Sequence, residues 1–475
     1  MALLPKSRTQ STYYYRKPDE MTLEDRLDFI YWHPKYESLI QIFASKKFAS
    51  KELAFLMRTP IVSGKTPKNY VYPMKGIPFI GARNIRNGKV NLTNVTYIDD
   101  FIHEGMLKSS KVMAEDILVT MAGSIGRTAM YKDEKEANIS QAVARLQPNT
   151  KEINPQYLVY YLNSHFGQLQ FERYRHDVNQ PNINTTEIGK IKVLLPPKRT
   201  IQNEITEQLQ NMQNDVFSQR VKLKKISKQL STIIPVEIGL MLPDTIYDYY
   251  IQPIESLDER LDFIWNRPIT EQIKHYLRLK GAVPLGKIVE SDIEYGLNAY
   301  GKEKGKIPFV NVENLDLDGM IKSTKIRYLN QATETKLLKE NDILISRSRT
   351  VGIAGLVTKK EEGFTFGSYI LRFRVKPDSS VDPLYLVNFI NSEVGQNQIT
   401  YLQTGAREVK QGGGNNINPD QLRQLLVVKS KTDDQQISIV HKIHDLLKQK
   451  EDVKKQIEEA SVAFKTAYQS IFHYD

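Results

Sequence analysis

The chain contains no cysteine. Disulfides and thiolate metal sites are therefore excluded, and a cytoplasmic location is the expectation. No apolar run reaches the ~18 residues that would suggest a membrane-spanning helix. The opening "MALLPKSRTQSTYYYRKPDE" has too short an apolar stretch for a signal peptide. Tryptophan is scarce, with only Trp32 and Trp265. Basic residues, in contrast, are in surplus: 66 Lys and Arg against 55 Asp and Glu give a net charge of +11 and a pI near 9.2. Basic clefts attract polyanions, although a soluble protein with extra surface lysine has the same balance. The apolar fraction of 40% and charged fraction of 25% are those of an ordinary globular protein. A length of 475 residues suggests about three domains.

The chain repeats itself. "LEDRLDFIYWHP" at Leu23 returns as "LDERLDFIWNRP" at Leu257, an offset of 234. "IPFIGARNIRNGKV" at Ile77 returns as "IPFVNVENLDLDGM" at Ile307, and "EDILVTMAGSIGRTAM" at Glu115 as "NDILISRSRTVGIAGL" at Asn341. "INPQYLVYYLNSHFGQ" at Ile153 returns as "VDPLYLVNFINSEVGQ" at Val381, "NIN" at Asn182 as "NIN" at Asn416, and "IKVLLP" at Ile191 as "LLVVKS" at Leu425. Six blocks in one order are a tandem duplication, and the small changes in offset are loop insertions and deletions.

Each copy has three parts. A lead-in segment (23–39 or 257–273) carries Trp32 or Trp265 as a packing anchor. A mixed body follows, with short strands such as "IPFI", "DILVT" and "IKVLL" and a helix opened by Asn154-Pro155. A long amphipathic helix closes the copy. In the first, Ile205, Leu209, Met212, Val216, Gln219, Leu223, Ile226, Leu230 and Ile233 are spaced alternately by four and three. In the second, Ile439, Ile443, Leu446, Lys450, Val453, Ile457, Ala460, Phe464, Ala467 and Ile471 continue the same pattern. These are heptad seams, each with one polar rung, Gln219 or Lys450, positioned to set register. Two such seams in a duplicated chain are expected to pair antiparallel, forming a bar about 42 Å long. The expected boundaries are an N-terminal extension at 1–22, a first body at 23–200 and a long helix at 201–234. A connector at 235–256, with Pro235 and Gly239 as breakers, leads to a second body at 257–434 and a second helix at 435–475. The fold class is α+β: two tandem mixed α/β bodies, separated and bridged by two antiparallel coiled-coil helices in pseudo-twofold arrangement. One turn of B-DNA is roughly 34–36 Å, so a bar of this length suits two modules reading one duplex.

The order "GKTPKNYVYPMKGIPFI", "EDILVTMAGSIGRTAM", "NPQYLVYYLNS", "QPNIN", "IKVLLPP" and "QNEITEQL" resembles a target-recognition domain of type I restriction–modification specificity subunits. The second copy keeps that order, with "GGGNNIN" and "QQISIVHKI" in the last places, and "RLDFIYWHPKY" resembles the segment leading into such domains. The resemblance covers about residues 23 to 475. It implies a non-catalytic subunit that binds an interrupted, asymmetric double-stranded DNA site, with one recognition domain per half-site. It further implies two modification (methyltransferase) subunits that use S-adenosylmethionine, docked on the paired helices. Restriction (translocase/nuclease) subunits using ATP and Mg complete the implied assembly. No cofactor is expected in this chain.

The residues offer little chemistry of their own. An N6-adenine methyltransferase needs an Asn/Asp-Pro-Pro-aromatic tetrapeptide, but in "LLPPKR" Leu195 precedes the prolines and Lys198 follows them. "GSIGRT" at Gly123 lacks the Gly-Lys-Ser/Thr ending of a phosphate loop and reads as a tight turn. Asp116, Asp133, Glu134 and Lys135 fit a nuclease cluster only loosely, and a solvated loop is the commoner meaning of such a run. His441 and His444 fall off the seam, which favours exposure over metal binding; no metal site is expected.

Base reading needs amide, hydroxyl or guanidinium groups on projecting loops, and phosphate contacts need basic groups. In the first body the candidates are Arg83, Asn84, Arg86 and Lys89; Ser124, Arg127 and Thr128; and Arg173, Arg175, Asn179 and Gln180. In the second they are Asn311 and Asn314; Ser346, Arg347, Ser348, Arg349 and Thr350; and Arg407, Lys410, Gln411 and Asn415. Asn182 and Asn416, equivalent in the copies, suit a shared structural role such as capping a turn. Three readings compete with type I recognition. One is a recognition subunit of a related restriction architecture with a fused methylase–nuclease partner, and another is a coiled-coil adaptor that does not bind DNA. The third is an enzyme built on Asp116, Asp133 and Lys135.

Overall fold

The strands that the sequence marks as uninterrupted apolar runs become the centres of the sheets. Ile117–Thr120 is buried at every position because it lies between Val143–Leu146 and Thr128–Met130 and both its faces are covered. The computed structural model describes residues 31, 33–44, 49–176, 181–240, 268–290, 292–403 and 415–472. It divides into two compact units, residues 1–217 with 459–475, and residues 218–458.

In the first unit a six-stranded sheet runs in the order Val62–Ser63, Val143–Leu146, Ile117–Thr120, Thr128–Met130, Lys89–Val90, Ile85–Arg86. A second sheet has the order Thr96–Ile98, Ile77–Ile80, Ala137–Ile139, Lys111–Val112. The helix Pro155–Asn163 starts where Asn154 accepts from the N–H groups of Gln156 and Tyr157. Its buried Tyr157 and Tyr161 donate their hydroxyls to the carbonyls of Leu194 (3.0 Å) and Lys192 (2.9 Å), tying the helix to the strand Lys192–Leu195. That strand pairs with Ala49–Glu52 and closes the body just before the first long helix.

The second unit repeats this construction. Its main sheet has the order Glu294–Tyr295, Ile370–Phe373, Ile343–Ser346, Ala354–Leu356, and its smaller sheet has Arg327–Leu329, Ile307–Val310, Thr365–Phe366. Asp382 caps the helix Pro383–Asn391, and Tyr385 donates to the Val428 carbonyl at 2.8 Å. Both units are mixed α/β, as the α+β expectation required.

The long helices are Arg199–Glu237 and Asp433–Phe472, of 39 and 40 residues. The first runs past its expected end at 234, with Pro235 inside it. It stops where Gly239 takes φ +68° and the Leu240 N–H donates to the Pro235 carbonyl at 2.7 Å. In the first unit Ile205 and Leu209 share a core with Phe464, Tyr468 and Ile471, and the Tyr468 hydroxyl donates to the Tyr160 carbonyl. In the second, Ile226 and Leu230 share a core with Ile439, Ile443 and Val453, and Lys442 pairs with Glu237 at 2.6 Å. Early residues of one helix meet late residues of the other in each unit, so the helices run antiparallel. Every seam residue is buried or half-buried. Trp32, Trp265 and much of the two lead-in segments lie outside the described residues. Among the described residues no helix is long and apolar enough to cross a membrane.

Candidate nucleic-acid interface

One turn is built identically in both units. The Thr120 hydroxyl donates to the Ser124 carbonyl and accepts from the Arg127 N–H at 3.0 Å. Ser346 does the same with the Thr350 carbonyl and the Ile353 N–H. The glycine that ends each turn has a positive φ, +81° at Gly126 and +88° at Gly352. A Cβ would lie 2.7 Å from Phe171 at the first and 2.4 Å from Ile399 at the second. "GSIGRT" is thus a tight turn held by a hydroxyl and a glycine.

Beside each turn runs the "NIN" stretch. Ile183 and Ile417 donate their N–H groups to the carbonyls of Met121 and Arg347, both at 3.0 Å, and Asn182 and Asn416 bridge to Ala122 and Ser348. The helix caps fall two residues later, on Asn184 and Asn418. Two of the three candidate stretches therefore adjoin in each unit.

The third, "GARNIRNGK", reverses direction at Asn87-Gly88, both at positive φ. It presents Arg86 and Lys89 outward, with Lys89 Nζ 5.0 Å from the centre of the Phe217 ring. Lys89 and Arg127 line one open groove of about 920 Å³ in the first unit, shared with Gln156, Gln210 and Phe464. Arg83 is exposed and donates to the Thr96 hydroxyl at 2.8 Å.

Several of the candidate residues are occupied inside the fold and do not face a ligand. Asn84 and Asn314, at equivalent places, are buried: their Oδ1 atoms accept from the N–H of Gly81 (3.0 Å) and Asn311 (2.9 Å), and their Nδ2 groups donate to nearby loop carbonyls. Thr128 is buried and donates to the Gly126 carbonyl, and Ser346 is consumed by its turn. Arg173 donates through Nε to the Tyr31 carbonyl at 3.1 Å and lies over that ring, so it is engaged by Tyr31. Ser124, Arg349 and Thr350 remain exposed, and Arg127, Arg175, Asn311, Arg347, Ser348 and Asn415 half-buried. Asn179, Gln180, Arg407, Lys410 and Gln411 lie outside the described residues. Tyr295 and Tyr369, which stand in no motif of their own, are set by strand pairing beside Arg347 and Arg349.

The acidic groups serve the fold. Asp116 is buried, accepting from the Met113 N–H (3.0 Å) and from Gln147 (2.9 Å). Burial pushes its carboxyl up, with those two donors pulling the other way. Its equivalent, Asp342, accepts from the Lys339 N–H at 2.9 Å and pairs with Arg374. Asp133 accepts from the Lys135 N–H in a local turn. His103, Glu104 and Glu136 converge closely enough for a metal, but Lys111 already bridges the two carboxylates: its hydrogen bond holds Glu104 below the usual range, and hydrogen bonds to His103 and then Lys111 hold Glu136 there. His441 and His444 are exposed.

The polar rung of the second seam has its partner in the second unit's body. Lys450 is 7% exposed and pairs with Asp318, itself 8% exposed, whose other oxygen takes Lys454 at 3.0 Å. Burial pulls the Lys450 ammonium down to about 8, Lys454 adds to the fall, and Asp316 opposes it.

Two copies of one mixed α/β domain, each followed by a long helix and each carrying divergent polar loops on a shared framework, define a duplicated recognition protein. The family model for the type I restriction modification DNA specificity domain matches residues 47–227 and again 296–460. The chain belongs to that family and is a specificity subunit with two target-recognition domains. It is similar to the putative type I restriction enzyme MjaX specificity subunit of Methanocaldococcus jannaschii, with 24% identity over 325 residues, 64% of this chain and 70% of that protein. The EcoKI specificity subunit of Escherichia coli K12 is 22% identical over 412 residues, 83% of this chain and 80% of that one. A solved type I restriction–modification S subunit from M. genitalium superposes with a TM-score of 0.49 at 12% identity, covering 90% and 98% of the two chains.

Proposed function

We propose that each target-recognition domain reads one half of an interrupted, asymmetric DNA site and that the chain performs no catalysis itself. The paired helices dock two modification subunits, which carry S-adenosylmethionine. Restriction subunits that use ATP and Mg join the same assembly. The helices also set the spacer, placing half-site centres about one duplex turn apart. The observation that carries this reading is the contrast between framework and surface. Turn hydroxyl, turn glycine, capping asparagine and strand register recur in both domains, while the exposed positions of the same loops differ. Two readers with one framework and different contact groups suit a site whose halves differ. The test is selection of bound duplexes from a randomised library by the chain assembled with its modification subunits. An enriched sequence of two fixed blocks around a spacer of constant length is expected. An assembled complex that enriches nothing refutes the reading.

A further inference from the structure

We infer that Arg347 and Arg349 read guanine in the second target-recognition domain, and that Tyr295 and Tyr369 are their positioning residues. This rests on the recognition reading above and names the groups and the base.

The sheet register brings the four residues together. Tyr295 pairs with Leu371, which pairs in turn with Ile345, two residues before Arg347. The Arg347 N–H donates to the Tyr369 carbonyl at 2.9 Å. Arg347 Cζ lies 5.0 Å from the centre of the Tyr295 ring, and Arg349 Cζ lies 5.7 Å from that of Tyr369. Both rings are partly open to solvent, 42% and 50% exposed. Arg347 Nε is buried and has no hydrogen-bond partner among the described residues. Arg349 has φ +66°, a left-handed conformation that a non-glycine side chain rarely takes, and such strain concentrates at functional sites.

The first domain shows that the fold does not need these groups. By the same register, Ser63 pairs with Ala144, which pairs with Val119, so Ser63 stands where Tyr295 does. The Met121 N–H donates to the Ala142 carbonyl, so Met121 and Ala142 stand for Arg347 and Tyr369. Gly123, at φ +74°, stands for Arg349. Both arginines and both tyrosines are replaced together, while the turn beneath them is unchanged. The arginines and rings therefore work as pairs and serve the surface. A guanidinium lying over an aromatic ring gives up little of its hydrogen-bonding capacity and loses rotamer freedom before binding. Its fork of N–H donors matches O6 and N7 of guanine in the major groove.

The test repeats the library selection with the whole complex and variants Arg349→Lys, Arg347→Lys, Tyr369→Leu and Tyr369→Phe. Wild type is expected to fix guanine in the half-site of the second domain. Arg349→Lys and Arg347→Lys keep the charge but lose the fork, and each is expected to lower the guanine preference at one position roughly tenfold or more. Tyr369→Leu is expected to weaken the same position as Arg349→Lys, and Tyr369→Phe to retain it. The unchanged first half-site serves as the control for folding. A wild-type consensus left intact by both lysine variants overturns this inference alone, as does an affinity loss equal on all sequences, which marks a phosphate contact. A wild type with no consensus overturns the recognition reading together with it.

Discussion

Lys450 occupies a heptad position where Leu446 and Val453 are its seam neighbours, and its charge is tolerated because Asp318 meets it. Both residues are more than nine-tenths buried. Removing one partner of a buried pair costs about 3–5 kcal/mol when the other charge is left uncompensated. Asp318→Asn takes the paired carboxylate from the buried Lys450 ammonium and leaves only Asp316 nearby, so a loss at the low end, about 3 kcal/mol, is expected. Lys450→Met has a smaller cost, because Asp318 keeps Lys454 at 3.0 Å and the methionine adds apolar burial to the seam. That burial contributes about 1.5–3 kcal/mol, so the single change should fall between neutral and a loss of about 2 kcal/mol. With methionine at 450 there is no buried ammonium to strand, and Asp318→Asn should then cost about 1 kcal/mol. The difference, about 2 kcal/mol, is the coupling energy of the cycle. Hydrogen exchange of amides in the helix around residue 450 and in the loop 316–319 measures the local opening free energy. Equal cost of Asp318→Asn in both backgrounds, within about 0.5 kcal/mol, would show that the two residues do not act as a pair.

Other expectations follow from single features. Gln219 is the polar rung of the first seam, and its buried Oε1 has no hydrogen-bond partner among the described residues; Gln219→Leu should raise stability by about 0.5–2 kcal/mol, read as a higher urea midpoint. A lower midpoint would mean that the amide is paired. Gly352→Ala brings a Cβ within 2.4 Å of Ile399 at φ +88°, whereas Gly123→Ala at φ +74° meets nothing within 4 Å. The first should cost about 2–4 kcal/mol and the second about 1, by denaturant unfolding, and equal costs would contradict the packing described for the turn. Deleting seven residues from both long helices keeps heptad phase and should shorten the spacer in selected DNA. An unchanged spacer would remove the helices from that role.

Features fixed by local periodicity could be read from the chain. The four-three spacing placed the seam residues, since a helix buries one stripe and the stripe repeats. Asn154-Pro155 marked a helix start because cap and φ are local properties. Features that depend on distant partners were hidden. Asn84 and Asn314 looked like loop amides free for DNA, but each closes a turn with the backbone three residues before it, and chain closure buries them. Lys450 read as a register device between helices, and its partner lies 132 residues away in the second domain's loop. Tyr295 and Tyr369 carried no signal alone, because only the pairing of three strands sets them against Arg347 and Arg349. Arg349 at positive φ was equally invisible, as only the equivalent glycine at 123 hints at the backbone there.

On the proposed function, this chain alone selects the DNA on which its partners act. Mapping methylated adenine across the genome of a host carrying the gene and its neighbours, with and without deletion of this gene, tests it most directly. An interrupted motif of two different half-sites, modified in the parent and unmodified in the deletion, is expected. The same motif still modified in the deletion, with the modification subunits active, would contradict it.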